Sequence, residues 1–248
     1  MSDESRGVRI SFSAVKNWEE GKLPYSEEVV EFTWYKGLSW QQKQKSSISM
    51  RESIVLKKPD AKVLEISTKS DNYEFAQKLS AMNLKVDGQT LENVFQSGKV
   101  FDEKRGPNLD LLKTSPQKAK QFNRGLNPHL KYFQYKNKKF PLEPKTIFYD
   151  YLYLKALVQN SNIAEKLLDY DAFTDIEFNQ KIAYDTVKGP FNSQARSAAI
   201  YVTLRKAKIT PNEILDLINS STDLQKLYPA KKEVSAIEKP DVQLGLFS

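Results

Sequence analysis

The residues best suited to chemistry by type and spacing lie between positions 90 and 101, Thr-Leu-Glu-Asn-Val-Phe-Gln-Ser-Gly-Lys-Val-Phe. If this segment is a helix, Glu92, Gln96 and Lys99 fall within an arc of about 60°, beside an apolar stripe of about 120°. Gly98 lies within that stripe, where a glycine costs helix stability and therefore indicates a close packing contact. A carboxylate and an ammonium held this near each other can shift each other's pKa. An ordinary polar helix face is the alternative interpretation.

A second source of carboxylates is the segment 169–175, which contains three acids and two aromatic residues. Aspartate and threonine also cap helices, so a capped turn is the alternative to a site loop. Three acids in a basic protein favour the site loop. Further back in the chain, Trp40 beside Lys43 could stack a base and hold a phosphate, or the tryptophan could simply cover the edge of the core.

The composition excludes several classes of chemistry. The chain has 248 residues, of which 40% are hydrophobic and 11% aromatic, as is typical of a globular protein. There is no cysteine, so disulfides and thiolate chemistry are impossible and a cytoplasmic location is expected. His129 is the single histidine, which argues against a transition-metal site. No apolar run approaches the length of a membrane span or of a signal peptide.

The net charge of +7 is unevenly distributed. Residues 113–145 contain nine lysine or arginine residues against one acid, Glu143, and Tyr132, Phe133, Tyr135 and Phe140 are interleaved with them. Basic residues mixed with aromatic residues suit a phosphate backbone and stacked bases. A solvated, lysine-rich surface is the alternative.

Hydrophobic periodicity and turn residues predict an α+β fold that is predominantly helical, with a few short strands. Residues 1–7 are predicted to be a disordered tail, 8–228 a single domain with its core at about 60–206, and 229–248 a flexible linker. Strands are predicted at 8–12, 28–34 and 61–67. Helices are predicted at 72–79, from 116, from 145, at 163–168, at 193–206 and from 211, where Thr-Pro-Asn-Glu is a strong start signal.

Residues 92–99 have the pattern Glu-x-x-Phe-Gln-x-x-Lys, which resembles the central motif of the NADAR (YbiA-like) family of N-glycosidases. Four other segments occur in the family's order. Residues 79–84 resemble its Leu-Ser-Asn-Phe segment, with two residues between the serine and the asparagine, and residues 115–120 resemble its Ser-Pro-x-x-Ala-Lys. Residues 175–178 occupy the position of the family's Asp-x-x-Trp-Gly segment but lack the Trp-Gly. Residues 189–192 occupy the position of the family's Gly-x-Asn segment.

Within this family, the chain resembles the group associated with DarT-type DNA ADP-ribosyltransferase toxins, through residues 142–146, 170–175 and 194–199. The resemblance implies a NADAR fold and hydrolysis of the bond between ADP-ribose and a guanine base in DNA, which would make the protein an antitoxin. ADP-ribosylated DNA and the toxin itself are the partners implied, without a cofactor or a metal.

The resemblance also implies roles for individual residues. Glu92 is the principal acid–base residue, and Lys99 binds the ribose or attacks the anomeric carbon as an amine. Asp175 is the second carboxylate, with Asp171 behind it. The substrate-binding candidates are Ser80, Asn83, Phe95, Gln96, Trp40, Lys43 and Asn192, the last at a helix start suited to phosphate.

The final segment resembles a different known peptide. Gln243, Leu244, Leu246 and Phe247 form Gln-Leu-x-Leu-Phe, which is similar to the peptide by which bacterial repair and replication proteins bind the sliding clamp. A tail that folds back onto the domain is the alternative. Two other functions also stay open, namely an N-glycosidase for a small ribose-phosphate metabolite of the riboflavin-intermediate type, and a non-catalytic protein that binds nucleic acid or the toxin.

Overall fold

The computed structural model describes residues 4–102, 105–122, 129–177, 181–183, 186–188 and 193–228, and these form one α+β domain that is predominantly helical, as predicted. The strands are β1 (Glu4–Ser13), β2 (Ser26–Tyr35), β3 (Val63–Glu65), β4 (Lys85–Val86), β5 (Gln89–Thr90), β6 (Lys99–Phe101), β7 (Leu130–Tyr135), β8 (Lys138–Phe140), β9 (Ala172–Thr174), β10 (Lys181–Ala183) and β11 (Thr186–Lys188). The helices are α1 (Trp40–Lys57), α2 (Tyr73–Leu79), α3 (Leu91–Ser97), α4 (Pro116–Phe122), α5 (Ile147–Gln159), α6 (Ser161–Leu167), α7 (Gln194–Lys206), α8 (Pro211–Asn219) and α9 (Ser221–Lys226).

The largest sheet has the strand order β2-β1-β9-β3. Strands β1 and β2 form a long antiparallel pair that runs from Glu4 opposite Tyr35 to Ser13 opposite Ser26. Strand β9 pairs with β1 in antiparallel fashion and with β3 in parallel fashion. Because β3 and β9 are parallel, their carboxyl ends meet at one edge of the sheet, and side chains that follow the two strands lie close together.

The start of β1 corrects one prediction. Residues 4–7 were expected to belong to a disordered tail, but they pair with residues 32–35 of β2. A salt bridge between the Arg6 guanidinium and the Glu31 carboxylate links the two strands there. The local sequence of 4–7 does not indicate a strand. The long partner strand β2 holds these residues in the sheet through backbone pairing.

Helix α5 is the centre of the core. Leu152, Tyr153, Leu154, Ala156 and Leu157 are completely buried, so apolar residues lie all round the helix rather than on one stripe. Such a helix is enclosed on every side, and α5 packs against α3, α7 and α8. This confirms the long, largely buried helix predicted from position 145.

The helix predicted at 90–101 is shorter than expected. It ends at Ser97, and Lys99 begins strand β6, so the prediction of helix at 99–101 is wrong. Gly98 explains the change, because a Cβ there would lie 2.7 Å from the Gln134 carbonyl oxygen and 3.0 Å from the Phe148 ring. The predicted close packing contact at Gly98 is therefore confirmed, and it lets β7 approach and pair with β6.

The basic segment contributes a second, antiparallel sheet, β6-β7-β8, which the sequence analysis did not predict. Phe133 and Phe140 point into the core from β7 and β8. Several lysines of this hairpin are held by local partners, for example Lys131, whose ammonium lies 2.9 Å from the Asp102 carboxylate. Phe133 and Phe140 are buried in this hairpin, whereas Lys131 and Lys139 are exposed.

The predicted start signals of the late helices are confirmed. Thr210 and Glu213 form a complete capping box at the start of α8, and the Ser193 hydroxyl accepts the Arg196 N–H at the start of α7. Such caps satisfy amide groups that have no partner within the helix. No helix in the described ranges is long and apolar enough to cross a membrane.

Candidate active site

Glu92 is a buried carboxylate in the first turn of α3, with 7% of its surface exposed. Its backbone N–H donates to the Ala81 carbonyl at 2.9 Å, which ties the helix start to the segment after α2. Its Oε1 accepts a hydrogen bond from the Gln96 amide, one helical turn later, at 2.8 Å. Among the described residues nothing donates a hydrogen bond to Oε2, so this oxygen can accept one from a water molecule or a substrate.

Lys99 lies beside Glu92, although a strand rather than a helix brings it there. Its ammonium nitrogen is 5.2 Å from the centre of the Phe95 ring, and Phe95 packs in turn against Phe133 and Phe148 in the core. Burial lowers the pKa of the Lys99 amine, while the charge of Glu92 partly opposes the shift. Phe95 therefore packs between the lysine and the core, and its predicted contact with the substrate stays a prediction.

Lys99 and Gln96 line a cleft of about 620 Å³. Other residues around this cleft include Phe101, Arg105, Asn108 and Phe122. One wall approaches the strand very closely, since Gly106 has a φ of +101° and an added Cβ would lie 2.1 Å from the Lys99 carbonyl oxygen. Only glycine allows that backbone approach.

Asp175 follows the end of β9 and is linked to Glu92 through hydrogen bonds. Its Oδ2 accepts from the Gln194 amide at 3.1 Å, and its Oδ1 accepts from the Glu177 N–H at 3.2 Å. The Gln194 side-chain oxygen, Oε1, accepts the Ala81 N–H at 2.6 Å, and the Ala81 backbone carbonyl accepts the N–H of Glu92. The first turn of α7 thus connects the Asp175 carboxylate to the backbone of Glu92.

Tyr149 lies within the electrostatic influence of both carboxylates and was missed by the sequence analysis. Burial raises the pKa of its hydroxyl well above the usual value, and the charges of Glu92 and Asp175 add to that effect. Its ring packs edge-on against Phe95, with the centres 5.4 Å apart. Within the described part of the chain its hydroxyl forms no hydrogen bond. The sequence does not indicate that this tyrosine lies near the two carboxylates, because it is one of several aromatic residues in an apolar helix.

Glu65, at the carboxyl end of β3, is a third buried carboxylate that the sequence analysis missed. It accepts hydrogen bonds from the Ser67 N–H at 3.1 Å, the Thr174 hydroxyl at 2.7 Å and the Ile176 N–H at 2.9 Å. Burial raises the pKa of Glu65 to about 7, and the charge of Asp175 contributes. Burial likewise raises the pKa of Asp175. The glutamate in the apolar run Val-Leu-Glu-Ile was the available signal.

A comparison with protein families matches this arrangement to a known group. The family model described as DarT1-associated NADAR antitoxin matches residues 12–235. The chain belongs to this family. The resemblance seen in the sequence is thereby confirmed, and members of the NADAR family are generally N-glycosidase-like. A search of curated proteins found no match.

Ser80 and Asn83, which correspond to the family's Leu-Ser-Asn segment, end helix α2. The Asn83 amide donates to the Gln77 carbonyl at 2.8 Å, and the Ser80 hydroxyl accepts from the Met82 N–H at 3.4 Å. Asn83 is exposed and Ser80 is buried. Both therefore shape the turn that carries Ala81, the residue between Glu92 and Gln194 in the hydrogen-bonded connection. Neither lines the cleft beside Lys99.

Trp40 and Lys43 lie in the first turn of α1. The Trp40 indole donates to the Thr68 carbonyl at 2.9 Å and packs edge-on against Tyr73. The Lys43 ammonium is 2.8 Å from the Glu177 carboxylate. Since the Glu177 N–H donates to Asp175, the structure brings this pair of candidates into the neighbourhood of the second carboxylate.

Asp171 does not join Asp175. It precedes β9 whereas Asp175 follows it, so the two residues are about 13 Å apart along an extended chain. Asp171 instead binds the Lys206 ammonium at 2.9 Å and accepts the Lys62 N–H at 3.3 Å, and these interactions lower its pKa. The predicted site loop is a buried strand at 172–174, because Phe173 and its neighbours fill the core.

Two further predictions lie outside the described residues. These are Asn192 as a phosphate contact and the clamp-binding peptide at 243–247. Among the residues that are described, no group of three or more histidine, aspartate or glutamate side chains could hold a metal ion.

Proposed function

We propose that this protein is an N-glycosidase that hydrolyses the bond between ADP-ribose and a guanine base in DNA, and that it thereby reverses the modification made by a DarT1-type toxin. Membership of the antitoxin family supports the role, and its name associates the family with that toxin. The single observation that carries the chemistry is the buried Glu92 carboxylate. One of its oxygens is held by Gln96, its charge acts on the Lys99 amine, and Gln96 and Lys99 both line the cleft.

The reaction removes a nitrogen leaving group from an anomeric carbon through an oxocarbenium-like transition state. Glu92 accepts a proton from the water molecule that attacks the anomeric carbon, through the oxygen that Gln96 does not bind. Its negative charge also stabilises the positive charge that develops on the ribose. The new C–O bond replaces the C–N bond, so the products are free ADP-ribose and unmodified guanine.

Lys99 binds the hydroxyl groups of the reacting ribose in this proposal. The lowered pKa of its half-buried amine also suits attack on the anomeric carbon, which would give a covalent intermediate that water then resolves. Both pathways require Glu92 to handle the proton of the water molecule. Trapping with borohydride separates them, since only an open-chain imine between Lys99 and ribose is reduced to a stable adduct.

Asp175 is the group that protonates the departing base. Burial raises the pKa of this carboxyl, and a raised pKa helps an acid to keep its proton near neutral pH. Gln194 holds the carboxyl in place and connects it through Ala81 to the start of α3. An acid on one side of the ribose and a base on the other match the needs of glycosidic bond hydrolysis.

The deciding experiment uses a guanine-ADP-ribosylated DNA oligonucleotide with wild-type protein and with Glu92→Gln. We expect ADP-ribose release by the wild type and a loss of at least a hundredfold in the variant, as is typical when a general base is removed. Glu52→Gln, an exposed glutamate on α1, is the matched control and should keep full activity. Full activity of Glu92→Gln would show that the assignment is wrong.

The other functions considered are outcomes of the same experiment. Hydrolysis of a small ribose-phosphate compound but not of the modified oligonucleotide would favour a metabolite N-glycosidase. Binding of DNA or toxin without any release of ADP-ribose would favour a non-catalytic antitoxin.

A further inference from the structure

Two exposed aromatic rings lie together at the start of α1. Trp40 is 38% exposed and Tyr73 is 43% exposed, and their ring centres are 6.2 Å apart at an angle of 81°. The hydrogen bond from the Trp40 indole to the Thr68 carbonyl fixes one ring. Aromatic faces that are exposed and held in place are suitable for stacking a nucleobase.

Two ammonium groups near this aromatic pair in the chain approach the Glu177 carboxylate, two residues after the second carboxylate, Asp175. Lys43, one turn after Trp40, is 2.8 Å from the Glu177 carboxylate, and the Lys69 ammonium is 3.9 Å from it. The Glu177 backbone in turn donates to Asp175. The first turn of α1 carries no acid, so the positive end of its helix dipole is not offset there. The two ammonium groups thus share one anionic partner, and phosphate oxygens accept the same charge-assisted hydrogen bonds as a carboxylate.

A different aromatic surface lies at the cleft beside Lys99. Phe122 and Leu109 line this cleft and are 52% and 64% exposed. Arg105 also lines it, and Lys118 and Lys120 are exposed on the same helix as Phe122. This side therefore combines apolar surface with positive charge over a broad opening, which suits a nucleic-acid strand.

We propose that these surfaces are two arms of one site and bind the two halves of one substrate. Trp40 and Tyr73 stack the adenine of ADP-ribose, with Lys43 and Lys69 on its diphosphate, and the cleft with Phe122 binds the DNA strand. The inference rests on the proposed function. One arm reaches Asp175 through Glu177, and the other is lined by Gln96, which holds the Glu92 carboxylate. A substrate that joins ADP-ribose to DNA at one ribose needs such a two-sided site.

Separate binding measurements test the assignment. Free ADP-ribose is titrated by calorimetry, and an unmodified, fluorescently labelled single-stranded oligonucleotide is titrated by anisotropy. We expect Trp40→Ala to weaken ADP-ribose about tenfold and to leave the oligonucleotide unchanged, as loss of one stacking contact predicts. Phe122→Ala should weaken the oligonucleotide about tenfold and leave ADP-ribose unchanged.

Two further variants guard against a trivial result. Leu56→Ala, at the opposite end of α1, removes another exposed apolar side chain and should change neither affinity. Trp40→Phe keeps an aromatic ring but loses the hydrogen bond to Thr68, and it should bind ADP-ribose more tightly than Trp40→Ala. Thermal unfolding of each variant shows whether it is folded.

Several results would overturn the two-arm assignment. These are an unchanged ADP-ribose affinity in both Trp40 variants, an exchange of the two effects between Trp40 and Phe122, or no binding of either ligand by the wild type. Release of ADP-ribose from the modified oligonucleotide is measured on the same samples. Separated binding effects without any release would contradict the proposed hydrolysis and not the arms, whereas release with unseparated effects would contradict the arms alone.

Discussion

At the scale of single residues, the site consists of ionisable groups that are buried, although burial disfavours the charged form of such groups. Glu92, Lys99, Asp175 and Glu65 are all ionisable, and all are buried or half-buried. Removing such groups from water is unfavourable unless partners compensate, and burial shifts the pKa values of Lys99, Asp175 and Glu65. Clusters of this kind are typical of functional sites rather than of structural cores.

Lys99 offers a direct test of this conflict. Lys99→Met keeps an unbranched apolar side chain but loses the amine, which lies over the Phe95 ring and which burial disfavours. We expect hydrolysis of the modified oligonucleotide to fall at least a hundredfold while the unfolding temperature stays the same or rises. Kinetics and thermal unfolding of the purified variant measure both. A clear fall in unfolding temperature would indicate a structural role for the amine instead.

Glu65 makes a prediction about stability and pH. Its pKa is about 7 in the folded protein, and that of glutamate in an unfolded chain is about 4.3. Because the folded pKa is raised, the stabilisation from the bound proton is complete below about pH 4.3 and is lost as the pH rises to about 7. Wild-type stability should therefore fall by about 3 kcal/mol, relative to Glu65→Gln, between pH 4.5 and pH 8.

Urea unfolding of wild type and Glu65→Gln at several pH values measures this difference. Asp175 adjoins Glu65, with Glu177 and Lys120 nearby, so these charges contribute to the titration. Glu52→Gln serves as the control, because an exposed glutamate should not change the pH dependence. Parallel stability curves for wild type and Glu65→Gln would contradict the prediction.

At the scale of secondary structure, the junction of α3 and β6 decides the geometry of the site. Glu92 belongs to the helix and Lys99 to the strand, and Gly98 is the residue between the two elements. The Gly98 carbonyl also accepts the Gln134 N–H at 2.7 Å, so the junction is tied to β7. The distance between acid and amine therefore depends on the packing of a helix end against a strand.

Gly98→Ala tests that junction. The added methyl group would lie 2.7 Å from the Gln134 carbonyl oxygen, which is backbone and cannot rotate away. We expect the free energy of unfolding to fall by about 2–3 kcal/mol, as for other overpacked sites, and activity to fall because Lys99 moves relative to Glu92. Chemical unfolding and oligonucleotide hydrolysis measure the two effects.

Gly21→Ala is the matched control for that substitution. Gly21 has a φ of +88°, and an added Cβ there meets no atom within 4 Å. The control should lose only about 1 kcal/mol, from backbone strain, and should keep full activity. Equal effects of the two substitutions would show that the contact at Gln134 is unimportant.

At the scale of the whole molecule, the proposed catalytic site and the proposed clamp peptide belong to different segments of the chain. The peptide at 243–247 follows a charged stretch rich in lysine and glutamate. Short apolar peptides of this kind bind to grooves of partner proteins without help from the rest of the chain. A clamp contact would raise the local concentration of the protein at DNA under replication or repair.

Deletion of residues 243–248 tests the separation of these two parts. We expect the truncated protein to lose binding to a purified bacterial sliding clamp and to keep both its unfolding temperature and its hydrolysis of the free oligonucleotide. Substitution of Leu246 and Phe247 by alanine should have the same effect as the deletion. Clamp binding that survives both changes would contradict the motif, and a lower unfolding temperature would favour a tail that packs on the domain.

Much of the architecture follows from the order of amino acids because the responsible interactions are local. Thr210 and Glu213 form their capping box within one helical turn, and the buried helix α5 was recognised from its own apolar residues. The pairing of Glu92 with Gln96 likewise needs only the helical repeat. Such predictions hold because the interacting groups are three or four residues apart.

Tertiary structure decided the features that depend on distant segments. Glu65 meets Thr174 and Asp175 because β3 and β9 pair across more than a hundred residues, and Arg196 forms a buried salt bridge with Asp150 across two helices. Lys99 belongs to a strand and not to the predicted helix, because pairing with β7 is more favourable than the helix propensity of the local sequence. Local residue preferences differ by about 1 kcal/mol or less. The pairing of distant strands therefore determined where Glu65 and Lys99 lie relative to the other residues of the site.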